Sequence, residues 1–427
     1  MRCGPLQRII FGGIGLRNKS IYHWLVVASC ACMAMTSIGI CINCAGIFFV
    51  SVSEALEVGR GAISMTTTLN NLISGVMGPI VASKLIGKVN IRMLTGAGAV
   101  VSALCFVGMS VSNHVALFYV LSVLMGIFVT GYNNVVITYI IGNWFQEKHG
   151  FAMGITMSCS GLGGAVFNPI LSAAIESFGW RNAYLLAGVF VFVIAMPGIV
   201  FVIRERPEEK NLLAYGADSI SVKSTAQKAE QKVKISFFNA TFLVTVAFSV
   251  LAYFVSGFNT HVSGFATSIG LSASVGALMV SAGMIGNVLF KLLLGVLSDA
   301  MGAPKACSVM LISNMIGMTI FAFLPVGGTV VPMLSALFFG GIFAVAAVGI
   351  PLVVRYVYGP RMNSVAYSYI SMFACASSSA AMALYGFSFD FFGSYRVAII
   401  ASVVIAALSL TCLCFVHKVR TQDALDA

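Results

Sequence analysis

Charge is what this sequence lacks most. Asp, Glu, Lys and Arg make up only 9% of the 427 residues, while 59% are hydrophobic. Soluble domains carry roughly a quarter charged residues, so this chain could not cover a water-facing surface, whereas a lipid bilayer favours an apolar exterior. Acid is scarcer than base: 13 Asp and Glu stand against 24 Lys and Arg. All the carboxylates fall in loops, tails or the ends of apolar runs, which leaves no mid-span carboxylate as an obvious proton carrier. No phosphate-binding glycine loop, catalytic triad or zinc spacing is visible. This argues against an enzyme and against a chain that drives itself with ATP, and no cofactor is expected. The 11 cysteines are odd in number and show no extracellular framework, so structural disulfides are not expected. The pair Cys41 and Cys44 lies inside an apolar run with no second pair beside it. Four soft ligands are normally needed for a structural metal, so these thiols are read as packing groups and no metal is expected.

What the chain does have is long apolar runs. About 20 mostly apolar residues suffice to cross a bilayer as a helix, and twelve segments qualify. The first six lie near 22–50, 61–86, 92–112, 115–142, 150–174 and 180–203; the second six lie near 237–262, 271–297, 304–325, 328–354, 362–389 and 395–417. The basic stretch before the first run (Arg2, Arg8, Arg17 and Lys19) resembles a signal peptide, but the run is too long for a signal core and many spans follow, so it reads as an uncleaved first span. Between the sixth and seventh runs, Arg204 to Ser236 is polar and basic, a linker.

The scarce charges set an orientation. With both termini inside, 20 of the 24 Lys and Arg residues lie inside, three (Arg60, Arg181 and Arg396) lie outside, and Lys291 lies within a span. That bias follows the positive-inside rule and accounts for the net charge of +11 without nucleic acid as a partner. The expected location is the cell (inner or plasma) membrane, multi-pass, with both termini cytoplasmic.

The two sets of six also resemble each other. Phe178-Gly179-Trp180-Arg181 precedes the sixth run, and Phe392-Gly393-Ser394-Tyr395-Arg396 precedes the twelfth. An offset of 213 lays Trp144-Phe145 over Val357-Tyr358 and Ile86 over Asp299. The glycines Gly179 and Gly393 are 214 apart, so offsets of 213 to 214 serve three loops and indicate a duplicated unit. The fold class expected is all-α: twelve transmembrane helices in two pseudo-symmetric six-helix halves, residues 1–203 and 237–427, joined by a linker at 204–236. Two such halves enclose a cavity at their interface and rock to give alternating access. A monomer is expected.

The stretch Gly295-Val296-Leu297-Ser298-Asp299-Ala300-Met301-Gly302-Ala303-Pro304-Lys305 resembles the loop signature G-x-L-x-D-x-x-G-x-x-K/R of the major facilitator superfamily. Gly295 would let helices approach, Asp299 would sit against a helix N-terminus or a basic partner and lock one gate state, and Lys305 would supply a positive charge on the inner face. The first-half copy keeps Lys84, Lys88 and Arg92 but has Ile86 at the acidic position. The run Asn143-Trp144-Phe145, Gly150, Ala152, Gly154, Gly161, Gly163, Gly164 and Pro169, ending at Gly179-Trp180-Arg181, resembles the bacterial monocarboxylate and oxalate:formate exchanger branch. The fifth run lacks the Gly-Pro pair of drug:proton antiporters, with Cys159-Ser160 in that place.

Lys291 is the most informative residue. A cation within a span costs about 2.5–3.5 kcal/mol on insertion scales and marks function by default. It stands eight residues before Asp299, where the resemblance implies a cation, usually Arg, that contacts a substrate carboxylate. The alternative is a lysine snorkelling to the interface about two turns away. The oxalate exchanger also has a second cation in its eleventh span; here Ser364 to Phe389 contains no Lys or Arg, which suits a monoanion. Other expected substrate contacts are Asn43, Asn71, Asn134, Tyr132, Tyr253 and Tyr367, with Tyr132 favoured by the resemblance. Asn70, Asn133 and Tyr369 are also polar residues of these spans; neighbours on a helix point about 100° apart, so roughly half of the whole set should be structural. His261 is the coupling candidate, able to titrate near neutral pH. The function expected is secondary transport of a small organic anion, with protons an open question; the alternative is export of a neutral or cationic drug or metabolite.

Overall fold

The structure, a computed structural model, describes residues 21–58, 60–217, 239–271, 273–323 and 329–423. Lys223, Lys228, Lys232 and Lys234 of the linker and the basic residues of the first twenty lie outside the described residues.

Among the described residues, ten helices are long and apolar enough to span a bilayer. One of them, His149–Val202, has 54 residues, which would extend about 80 Å if straight. It is two spans broken at Gly179, whose φ of 79° is open to glycine. A further span, Arg60–Ile80 with its extension Val81–Leu85, is diluted by Thr66, Thr67, Thr68, Asn70 and Asn71. Counting these gives twelve. In order they are α1 (Ile21–Phe48), α2 (Arg60–Ile80), α3 (Ile91–Ser110), α4 (Val115–Trp144), α5 (149–178), α6 (180–202), α7 (Ala240–His261), α8 (Ala273–Met301), α9 (Ala303–Ala322), α10 (Val330–Pro360), α11 (Met362–Phe389) and α12 (Arg396–Asp423). Among the described residues there is no strand, only an isolated bridge between Phe145 and Tyr215. The duplication seen in sequence has a backbone counterpart: Gly393, matched to Gly179, also has positive φ, at 63°.

The molecule is apolar outside and mixed inside. Leu, Ile, Val and Phe side chains such as Val120, Phe192, Phe201, Leu289 and Leu408 face outward, while Ser and Thr residues fill the interior. Many of these small hydroxyls are satisfied locally, though Thr138, Thr156 and Ser335 have no partner among the described residues. Ser37, Thr95, Ser102, Thr245, Ser249 and Ser402 each donate to the carbonyl four residues earlier, so they carry no orphaned donor into the lipid-embedded core.

One face of the bundle carries the start of the linker. There α1, α4 and α6 are tied together. Tyr22 donates to the Val202 carbonyl, Trp144 Nε1 to the Arg204 carbonyl, and the Tyr215 amide to the Trp144 carbonyl at 2.9 Å. We call this the linker face.

Two boundaries differ from the sequence expectation in ways that matter. The eighth span continues to Met301 and turns at Gly302 (φ 88°), so Asp299 lies on helix α8 and not in a loop. The tenth runs past 354, so Arg355, expected among the loop charges, is helical too. In both cases the helix extends beyond the apolar run because its last turn packs against the other half.

Candidate functional site

Helices α5 and α8 lie antiparallel along the boundary between the halves, and their contacts advance in steps of three or four residues. Gly150 meets Gly295 and Asp299; Gly154 meets Gly295 and the Lys291 backbone; Gly161 meets Val288 and Asn287. A methyl group at Gly150, Gly154 or Gly295 would lie 2.7, 2.8 or 2.6 Å from a backbone oxygen or the Asp299 carboxylate of the facing helix. Small residues at helical spacing on both sides let the backbones touch, which is how helices associate without a hydrophobic driving force. Further contacts across the boundary join α2 to α11, where Gly75 sits against Cys375 and Gly78 against Ser368.

Asp299 closes the linker end of this seam. Its two carboxylate oxygens accept from the Gly150 and Phe151 amides, each at 2.8 Å. The first amides of a helix have no internal partner and carry the positive end of its dipole, so a carboxylate from the other half is well placed there. Arg355 does the complementary job nearby. Its guanidinium donates to the Gly142 carbonyl (3.3 Å) and the Phe145 carbonyl (3.1 Å) at the C-terminal end of α4, where a cation is favoured. A cavity of about 610 Å³ opens beside both, lined by His149, Asp299, Arg355 and Tyr356 among others. Lys305 is exposed and lines a separate hollow with Met301, Tyr356 and Leu413.

Lys291 lies one turn deeper than Gly295. It is ten residues before the end of α8, roughly 15 Å along the axis, and only 3% exposed. Its ammonium donates to Ser160 Oγ at 2.9 Å and to the Met157 carbonyl at 3.2 Å, both on α5. Among the described residues no carboxylate pairs with it; Asp299, two turns along the same helix, is engaged by the α5 amides. The Asn43 amide, on an irregular wide-turned stretch of α1 (Met35–Asn43), donates to the Ser160 carbonyl at 3.1 Å and remains exposed. Such wide turns recur at functional sites. Sequence reasoning passed over Asn287, one turn from Lys291 on the same face. It is buried, and its Oδ1 has no partner.

A second polar group bridges the halves. The Tyr367 hydroxyl on α11 interacts with the Asn134 amide on α4 and the Tyr253 hydroxyl on α7. Asn133, the neighbour of Asn134, accepts from the Val135 amide and restarts the helix after a break in α4 at 130–133, a structural role. Asn71 is half-buried, while Asn70 points into the first half, where its Oδ1 has no partner. Tyr132 departs from the expected arrangement. It is fully buried within the first half, packed on Gly98 of α3 with its hydroxyl 3.7 Å from Cys41 Sγ. His261 sits at the far end of α7, with one ring nitrogen 2.9 Å from the Met382 carbonyl and the other 3.2 Å from the Tyr395 hydroxyl. Among the described residues no cluster of His, Cys, Asp or Glu could hold a metal ion.

Residues 27–382 match the family model of the Major Facilitator Superfamily. The chain belongs to this superfamily. It is a multi-pass membrane protein, and its family points to a transporter rather than an enzyme. Within the Major Facilitator Superfamily it is similar to the human protein named monocarboxylate transporter 12, 24% identical over 299 residues that cover 63% of this chain and 56% of that one. The rat protein of the same name is 27% identical over 181 residues, 42% of this chain and 36% of that one. The oxalate:formate antiporter of Oxalobacter formigenes is 26% identical over 304 residues, 69% and 68% of the two chains. The chain spans about half the length of the first of these relatives. Among solved structures, the proton:xylose symporter XylE shares the fold with a TM-score of 0.70 at 14% identity, over 94% of this chain and 96% of that one.

Proposed function

We propose that this protein carries a small, monocarboxylate-like organic anion across the cytoplasmic membrane by alternating access, with Lys291 as the counter-ion. The observation that carries this reading is a buried ammonium held only by neutral oxygens, Ser160 Oγ and the Met157 carbonyl, with no described carboxylate paired to it. Such a group favours an anion that brings its own charge. The position of Lys291 also argues against snorkelling, because its head is turned onto α5 and not toward the linker end. The resemblance to proteins named monocarboxylate transporter 12 and oxalate:formate antiporter points the same way.

In this reading the moving bodies are residues 1–203 and 237–427, the linker face is cytoplasmic, and Asp299, Arg355 and the glycine seam hold it closed in the state seen. Asn43 and the Asn134, Tyr253 and Tyr367 group supply neutral hydrogen bonds to the rest of the solute. His261, held at both nitrogens far from Lys291, is kept as a coupling candidate. The neutral bridging group alone would suit an uncharged polar solute, which is the second reading.

Thermal shift of the purified protein with a panel of monocarboxylates and neutral compounds tests the two. Lys291→Ala and Lys291→Gln should lose the carboxylate-dependent shift while the protein still folds. Lys291→Arg should keep part of it, since charge survives and geometry changes. An undiminished shift in Lys291→Ala would end the counter-ion assignment.

A further inference from the structure

We propose that Ser160 and the Met157 carbonyl act as a resting-state stand-in for the substrate carboxylate, pinning Lys291 so that the unloaded carrier stays closed on the linker face. The inference rests on Lys291 being the anion site, and adds to it how the empty site is regulated. Lys291 belongs to the second half, and both its acceptors belong to the first. Ser160 is set up for this role. Its own hydroxyl donates to the Met157 carbonyl at 2.7 Å, which leaves its lone pairs for the ammonium at 2.9 Å. The α5 backbone at Ser160 is in turn held by the Asn43 amide at 3.1 Å. The pin sits on the same face of α8 as Gly295 and Asp299, so opening the linker end pulls α8 away from the very oxygens that hold Lys291.

Without substrate, that movement strips a buried ammonium of its partners, which is costly. A carboxylate on Lys291 replaces both acceptors, and the neutralised pair can then move with α8. The loaded carrier therefore reorients faster than the empty one, and solute-for-solute exchange outruns net flux. Ser160 is a positioning residue in this scheme, because it acts on Lys291 and not on the solute.

The test uses the full chain in proteoliposomes loaded with radiolabelled L-lactate and formate as probes. Efflux is measured into buffer and into excess unlabelled probe. Ser160→Ala removes one charge-assisted hydrogen bond, and net efflux should rise about tenfold while exchange changes little, so the exchange-to-net ratio falls. Hydrogen–deuterium exchange without any probe gives a second readout: peptides covering 149–154 should exchange faster in Ser160→Ala. An unchanged ratio together with unchanged exchange of 149–154 would overturn the pin, even if Lys291→Ala abolishes probe-dependent thermal shift. If Lys291→Ala keeps that shift, the anion-site reading fails instead, and the pin as a stand-in for substrate falls with it.

Discussion

Replacing Asp299 by Asn tests the closure of the linker face most directly. The carboxylate accepts two backbone amides, from Gly150 and Phe151, each at 2.8 Å. Hydrogen bonds to charged groups contribute about 1.5–3 kcal/mol each, and a charge at a helix terminus adds about 0.3–1 kcal/mol. Asn keeps one oxygen, so one bond survives in weaker form. Asp299 is exposed to solvent, which argues for the low end of these figures. A loss of about 1.5 kcal/mol follows, or roughly tenfold in the population of the closed linker face at 1.4 kcal/mol per decade. The substrate site two turns away is untouched. The expected outcome is therefore a clear fall in turnover, with a half-saturating concentration that moves much less, measured by initial rates of labelled uptake into proteoliposomes. Amide exchange at Gly150 and Phe151 should accelerate in parallel. A mutant that turns over at the wild-type rate would refute the latch.

Three further tests address other parts of the arrangement. In Gly295→Ala the added methyl would lie 2.6 Å from the Gly150 carbonyl oxygen and 3.2 Å from Gly154 Cα; overpacking of this kind costs about 1–3 kcal/mol, so faster deuterium exchange over 149–154 and slower transport are expected, and wild-type values would show that the seam yields freely. Arg355→Gln loses at least one of the two donors to the end of α4 and should reduce turnover several-fold with little change in half-saturation, while an equal change in both would place Arg355 at the solute. Glu54→Cys should react with an impermeant thiol reagent in intact cells and Lys223→Cys should not; labelling of the second from outside would invert the proposed orientation.

Much of the fold was legible because a bilayer imposes a crude, strong rule: each crossing needs a long apolar run. The runs near 92–112 and 304–325 appear as Ile91–Ser110 and Ala303–Ala322. The rule weakens where a helix outlasts its apolar stretch, as α8 does by continuing through Asp299 to Met301. It also says nothing of the linker start, where Tyr215 pairs beside Trp144 through backbone groups that have no sequence signature.

The site was legible in part for a similar reason. Lys291 stands out as a charge in an apolar run, but its acceptors are a serine and a carbonyl 131 and 134 residues away. No spacing rule connects them. The loop signature leaves Asp299 facing either a helix N-terminus or a basic residue, and in the structure it accepts from the amides that open α5. In sequence Arg355 is only an orientation charge; the signal that marks it is the unbroken apolar run Ile350 to Val354 before it, which carries the helix through the arginine. Of the paired asparagines, Asn133 turned to the backbone and Asn134 to Tyr367, as neighbours 100° apart must diverge.

The backbone-on-backbone seam between α5 and α8 bears on the speed of the transport cycle. Where two helices interlock through large side chains, parting them means unthreading each one and finding new rotamers for it. Glycines have no such teeth. At Gly150, Gly154 and Gly295 the facing surfaces behave like the plain faces of a bearing, close enough to support each other yet free to slide or lift with nothing to repack. The closed state is then held by a few polar contacts, the Asp299 cap, the Arg355 pair and the Lys291 pin. A carrier built this way has a rate that can be retuned by changing single polar residues, with the sliding surface itself left alone.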